Sequence, residues 1–262
     1  MRAMYRTTAK LRSGLVTMGD LRLPYLEALG IDVWRERGAA AETIPVAARV
    51  ARDDRGPAAK VAHDPGLAAG ISDEIVATLD WDALRAAVST CTRCSLHASR
   101  KQTVFGVGDI NARLLVVGEA PGADEDRIGE PFVGRAGQLL NAMLRAIGLA
   151  RKSVFIANIL KCRPPGNRDP KTEESQACSR FLNRQIALLQ PQAVLALGRI
   201  SAQWLLRSEL PVGRLRGQMQ TLDPWGLPLV VSYHPAYLLR SPAAKARAWQ
   251  DLLLVRELLN RD

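Results

Sequence analysis

The sequence predicts an α/β protein: a three-layer α/β/α sandwich around a mostly parallel central sheet, with an N-terminal appendage. Three observations predict it. Short apolar runs of four to six residues, the kind that fill buried strands, alternate with longer segments whose apolar residues recur at helical spacing. Glycines stop the first such strand and the first helix after it, at Gly118 and Gly148. The unusual polar residues follow the ends of strand candidates, where open α/β sheets gather their ligands.

Taken in order, Tyr25–Gly30 reads as a short helix with a glycine stop, followed by Ile31, Val33 and Trp34 as apolar anchors. It either packs on the main domain or serves as a tethered peptide for a protein partner. Gly38–Gly70 is rich in Ala, Gly, Pro and mixed charge without a sustained period, the pattern of a flexible linker. Residues 1–71 are therefore an extension, and 72–262 the main domain. In that domain a helix is expected over Asp73–Val88, leading into Cys91. Arg113–Val117 is a buried-strand run ending at Gly118. Gly137–Ile147 has helical spacing through Leu139, Leu140, Met143, Leu144 and Ile147. Val154–Ala157, Gln192–Leu197 and Leu229–Ser232 are further strands; Glu173–Leu189, Ser201–Leu206 and Ala243–Leu259 are further helices. No repeat of solenoid period is present.

The formal charge is +10, unevenly distributed. Of 36 basic and 26 acidic residues, 11 and 10 fall at or before Glu74, which leaves 25 and 16 for the segment that carries the motifs. A basic domain of this kind favours a polyanionic partner through counterion release. No apolar run approaches the roughly 20 residues that span a bilayer. The N-terminus lacks an apolar stretch followed by a small-residue cleavage site. A cytoplasmic protein without membrane contact is expected, in a reducing compartment where cysteines ligate metals more often than they form disulfides.

Cys91-Thr-Arg-Cys94 is a C-x2-C pair, and Cys162 and Cys178 complete a set of four. A C-x2-C turn brings two thiolates to one centre and distant cysteines close it. Zinc and iron–sulfur both suit four thiolates; the lack of a second tight pair tilts only mildly toward iron–sulfur. The run Gly118-Glu-Ala-Pro-Gly-Ala-Asp-Glu-Asp-Arg-Ile-Gly-Glu-Pro-Phe-Val-Gly-Arg-Ala-Gly137 forms a tight loop after a strand. A phosphate-binding turn would explain its glycines but not the carboxylates Glu119, Asp124, Glu125 and Asp126. A cleft that stabilises a cationic transition state or holds a water has a use for them. Phe132, between rigid neighbours, suits stacking on a planar ring, although a core role explains a lone phenylalanine as well.

Together, Gly118–Gly137, the four cysteines, Asn158-Ile-Leu-Lys-Cys-Arg-Pro-Pro-Gly-Asn-Arg168 and Tyr233-His-Pro-Ala-Tyr-Leu-Leu-Arg-Ser-Pro242 resemble the family 4 uracil-DNA glycosylases, the iron–sulfur branch of their superfamily. The resemblance runs from about Trp81 to the C-terminus, with motifs in the family's order, and does not reach residues 1–70. It implies that 72–262 is a catalytic domain, monomeric, that hydrolyses the N-glycosidic bond of uracil in single- or double-stranded DNA. It further implies a 4Fe-4S cluster on Cys91, Cys94, Cys162 and Cys178. A flipped-out uracil would stack on Phe132, contact the backbone at Ala120, and meet Asn158, whose amide matches N3–H and O4. His234 would sit near O2 and stabilise the departing anion. The best-known branch has an aspartate at the position of Ala120, which leaves Glu119 or Glu125 to position the water; Glu119, directly after the strand, is favoured.

Lys161, Arg163 and Arg168 are expected to meet DNA phosphates, with a steep salt dependence, and Arg240 to meet DNA with the Leu238-Leu239-Arg240 segment that follows the His-Pro turn. Leu238 and Leu239 either enter the duplex as a wedge or begin the buried face of the last helix. Two other readings compete: a non-enzymatic iron–sulfur or zinc module that binds nucleic acid, and a covalent uracil-DNA binder. Against the second, no Lys-Arg-Arg-Ile-His-like insertion lies between Gly122 and Gly137.

Overall fold

Two helices open the described residues where the apolar spacing predicts one. The computed structural model describes residues 72–261; the expected helix at Tyr25–Gly30 and the linker at Gly38–Gly70 lie outside the described residues. α1 (Asp73–Thr78) is capped by Ser72 and α2 (Trp81–Ser89) by Asp80, whose carboxylate accepts the Ala83 N–H at 2.9 Å. An aspartate in that role needs extended backbone around it, so Leu79 and Asp80 interrupt the run that Asp73–Val88 was expected to continue.

The elements that follow are β1 (Val107–Gly108), β2 (Leu114–Gly118), α3 (Ala123–Ile128), α4 (Arg135–Ala146), β3 (Phe155–Asn158), α5 (Thr172–Leu189), β4 (Ala193–Leu197) and α6 (Arg199–Leu206). Then come α7 (Val212–Leu215), β5 (Met219–Leu222), β6 (Leu227–Ser232), α8 (Pro235–Arg240) and α9 (Lys245–Leu259). A 3-10 turn over Pro242–Ala244 delays the last helix by two residues from its expected start at Ala243. The strands form one six-stranded sheet in the order β1-β3-β2-β4-β6-β5. The inner four are parallel and the two edges antiparallel.

Every residue of β2, β3 and β4 is buried, which is why their sequences are apolar runs rather than alternations. Successive side chains enter opposite layers. Leu115, Val117, Phe155, Val194 and Val231 pack with α2, α5 and α6. Leu114, Val116, Ile156, Leu195 and Val230 pack with α4, α8 and α9 on the other face. The expected three-layer sandwich is the result. β1 and β5 went unread because one is two residues long and the other is an exposed edge, with Met219 52% accessible. The chain leaves β2 for β3 on one side, and β4 for β6 on the other. The carboxyl ends of β2 and β4 thus flank the crevice where such sheets bind ligands. Among the described residues no helix is long and apolar enough to cross a membrane.

Candidate active site

The loops after β2, β3 and β6 close around one cleft of ≈ 470 Å³, within the usual range for a small-molecule site. Glu119, Ala120, Glu125, Phe132, Asn158 and His234 all line it, with Arg168 and Arg240 at its margin. Residues far apart in sequence share one space because Glu119, Ala120, Asn158 and His234 stand at or just past the carboxyl ends of parallel strands, and the loop after β2 folds Glu125 and Phe132 back over them.

The β2 loop is held in shape by two opposite charges. The Glu125 carboxylate accepts the Gly122 N–H through Oε2 at 3.1 Å, and the Val133 and Gly134 N–H groups through Oε1 at 2.9 and 3.4 Å. The Arg151 guanidinium donates to the carbonyls of Pro131 at 2.6 Å and Phe132 at 3.3 Å. Between these clamps Phe132 adopts φ +54°, a left-handed conformation that a bulky residue takes only where its surroundings enforce it. Gly137 permits the turn, since a Cβ there would come within 1.8 Å of the Phe132 carbonyl oxygen.

Gly118 makes room where the recognition groups meet. A Cβ on it would lie 2.3 Å from Asn158 Oδ1 and 2.8 Å from the edge of the Phe132 ring, so amide and ring both approach the end of β2. His234 faces them, its ring centroid 5.5 Å from that of Phe132 with the planes inclined by 30°. Gly198, at φ +95°, lets the end of β4 pass beneath it; a Cβ there would be 3.0 Å from His234 Cβ. His234 Nδ1 accepts the Ala236 N–H at 3.2 Å, so the neutral ring carries its proton on Nε2. Burial, aided by the Arg240 charge, lowers its pKa to about 4, which keeps it neutral near pH 7.

The two glutamates differ in what their oxygens do. Both oxygens of Glu125 accept from backbone N–H groups of the loop and hold its shape. Burial, reinforced by the nearby Asp169 charge and opposed by Arg199, raises the Glu119 carboxyl to about 7. A carboxyl poised near the working pH is suited to taking a proton.

Two residues expected to meet DNA are interior. Lys161 is 1% exposed, and its Nζ donates to the Asn158 carbonyl at 2.9 Å and to Gln185 Oε1 at 2.7 Å. The turn after β3 aims its side chain beneath the sheet end, so it cannot reach a phosphate. Leu238 is fully buried among α4 and α9 side chains; Pro235 starts α8, a helix of its own, which turns Leu238 inward. Leu239 is 38% exposed and is the leucine of the pair left at the surface. Arg168 pairs with Glu174 through both terminal nitrogens at 2.8 and 2.6 Å, while Arg163 donates to Asn167 Oδ1 at 2.7 Å. Arg240 is exposed.

The four cysteines, which lie after α2, in the loop after β3 and on α5, line a single pocket. Arg100 donates to Cys162 Sγ at 3.1 Å and the Lys161 N–H to Cys178 Sγ at 3.2 Å, contacts that favour thiolates. Burial pushes the Cys178 thiol up to about 12. Among the described residues no group of three or more His, Cys, Asp and Glu could hold a single metal ion. Zinc needs sulfurs about 2.3 Å from one point. The four thiols that line this pocket are a donor set that suits a polynuclear iron–sulfur cluster, as it also suits zinc.

Sequence reasoning passed over Asn167 and Asp169, which line the cleft beside Arg168, and Arg199, which pairs with Asp169 at 2.5 Å. Asn167 was within reach as part of the Cys162–Arg168 run. Arg199 carried no signal, because its proximity depends on β4 lying beside β2.

The family model for the uracil DNA glycosylase superfamily matches residues 105–253. A type-4 uracil-DNA glycosylase of Archaeoglobus fulgidus is 40% identical over 180 residues, 66% of this chain and 90% of that protein. One from Pyrobaculum aerophilum is 42% identical over 67% of this chain and 93% of its own length, and one from Thermotoga maritima 41% over 61% and 83%.

Proposed function

The chain belongs to the uracil DNA glycosylase superfamily and to its type-4 branch, and from that premise we propose how this uracil-DNA glycosylase uses its cleft. The enzyme hydrolyses the bond between uracil and deoxyribose in DNA and leaves an abasic site. The uracil must leave the base stack to enter the cleft. The Phe132 ring stacks on it, the Asn158 amide accepts from N3–H and donates to O4, and the backbone at Ala120 borders the base. Cytosine presents the reversed pattern to Asn158 and is refused.

As the C1′–N1 bond breaks, its electron pair passes to the uracil ring and negative charge gathers at O2. The His234 Nε2–H donates to that oxygen. A water held by Glu119 adds its oxygen to C1′, and its proton passes to the carboxylate. Before the transfer the same carboxylate stabilises the cationic sugar. The observation that carries this reading is the convergence of Glu119, Phe132, Asn158 and His234 on one cleft at the carboxyl end of the parallel sheet.

Cys91, Cys94, Cys162 and Cys178 would hold a 4Fe-4S cluster, which supplies a cross-link between three distant segments and a centre able to exchange one electron. No hydrolytic step passes through it. Lys161 leaves the expected set of DNA contacts; exposed Arg240 and partly exposed Arg163 and Arg168 remain in it.

The test is incubation of anaerobically purified protein with a single-uracil oligonucleotide, followed by alkali cleavage. Strand scission at the uracil is expected, with visible absorption of an iron–sulfur centre in the same sample. Full activity in both Glu119→Gln and His234→Ala would sink the mechanism.

A further inference from the structure

Every polar group of Lys161 has a partner. Its N–H donates to Cys178 Sγ at 3.2 Å, and its carbonyl accepts the Val104 N–H at 2.8 Å. Its ammonium holds the Asn158 carbonyl and Gln185 Oε1, and Gln185 Nε2 passes the chain on to the Phe105 carbonyl at 2.9 Å. A charge in this position is costly to desolvate, and an apolar side chain of similar length would fill the same space more cheaply. The bonds it makes concern the Asn158 backbone, which is also registered against β2 by Ile159 N–H to the Gly118 carbonyl at 3.1 Å and Leu160 N–H to the Glu119 carbonyl at 3.0 Å.

We propose that Lys161 is a positioning residue for base recognition: its ammonium fixes the Asn158 carbonyl, and hence the angle at which the Asn158 amide meets uracil, while its backbone anchors the same turn to the four-cysteine pocket. The inference rests on the reading of Asn158 as the residue that meets the base. Lys161 also lines the cysteine pocket, so removal of the ammonium disturbs the base pocket first, while the backbone bond from its N–H to Cys178 Sγ, which needs no side chain, still ties the turn to the cysteines. A disturbance at Cys162 or Cys178 reaches Asn158 through the same turn.

Lys161→Met keeps the length and removes the donor. In holoprotein purified anaerobically, the variant is expected to retain wild-type visible absorption, iron content and affinity for uracil-free duplex. Its single-turnover excision rate and its affinity for free uracil should fall about ten- to a hundred-fold, the scale of a small misplacement of a reacting partner. Because Lys161 acts through Asn158, the Lys161→Met/Asn158→Ala double variant should be no slower than Asn158→Ala alone. Wild-type excision and uracil binding in Lys161→Met, iron lost in step with activity, or additive effects in the double variant would each overturn the proposal. If Asn158→Ala alone left uracil binding intact, the reading of Asn158 would be the part that failed, taking the proposal with it. Should Lys161→Met not accumulate as folded protein, Gln185→Leu decides. It loosens the ammonium without touching the cysteines, so the same split at a few-fold is expected, and no change in uracil binding would overturn the idea.

Discussion

His234 and Glu119 face the same cleft with opposite electrostatic histories. Burial costs each its charged form, so the imidazole falls to about 4 and the carboxyl rises to about 7. Excision should therefore rise with pH and level off above about 7, following Glu119. The Glu119→Gln variant should be slower by about a hundred-fold or more, with a flat profile over that range, measured under single turnover. His234→Ala should lose about 10²–10³-fold without moving the Glu119 inflection. The same groups act on stability. The raised Glu119 pKa gives a contribution present below about 4.5 and lost as pH rises through about 7. The depressed His234 pKa works in the opposite sense, with stability lost as pH falls from 6.5 through about 4. Glu119→Gln should accordingly melt higher than the parent at pH 8 and gain less at pH 5, as thermal unfolding at the two pH values would show.

At the scale of the element, the β2 loop is folded by side chains that act on its backbone. Glu125 gathers three N–H groups and Arg151 two carbonyls, and between them Phe132 is held in a conformation it would not choose alone. Glu125→Gln removes the charge and turns an amide NH2 toward donors. About a ten-fold loss of excision is expected, with the pH inflection near 7 retained, because Glu119 is still present. A flat profile in Glu125→Gln would transfer the proton-accepting role to Glu125. Gly118→Ala tests the convergence at the strand end. Its Cβ must displace either the Asn158 amide or the Phe132 ring, so uracil binding should weaken more than the melting temperature falls.

Across the whole molecule, the segment after the C-x2-C pair fastens both sides of the cleft. The Lys101 N–H donates to Asp126 at 2.9 Å, Gln102 to the Arg127 carbonyl at 2.6 Å, and the Val104 N–H to the Lys161 carbonyl at 2.8 Å. The cysteine pocket, set among α2, α5 and the β3 loop, thus stands behind the site it stabilises. Binding of a metal centre to preformed thiols is folding free energy. Cys178→Ser should abolish the visible absorption and lower the melting temperature by about 5 °C or more, roughly 2 kcal/mol for a domain of this size. Unchanged absorption in Cys178→Ser would remove Cys178 from the ligand set.

The sequence by itself determined the layered sheet and the strand ends at which Glu119, Asn158 and His234 stand. Continuous apolar runs such as Leu114–Val117 have no stable place except between two helical layers, and that burial is a local property of the run. Only the tertiary structure decided which glutamate is committed to the loop, why Lys161 and Leu238 face inward, and where α1 ends and α2 begins. Those outcomes depend on partners that spacing does not encode. Glu125 meets Val133 and Gly134 across a turn, and Lys161 meets Gln185 on a helix 24 residues away. A side chain's periodicity says which layer it enters, but its hydrogen bonds are settled by whatever the rest of the chain brings within about 3 Å.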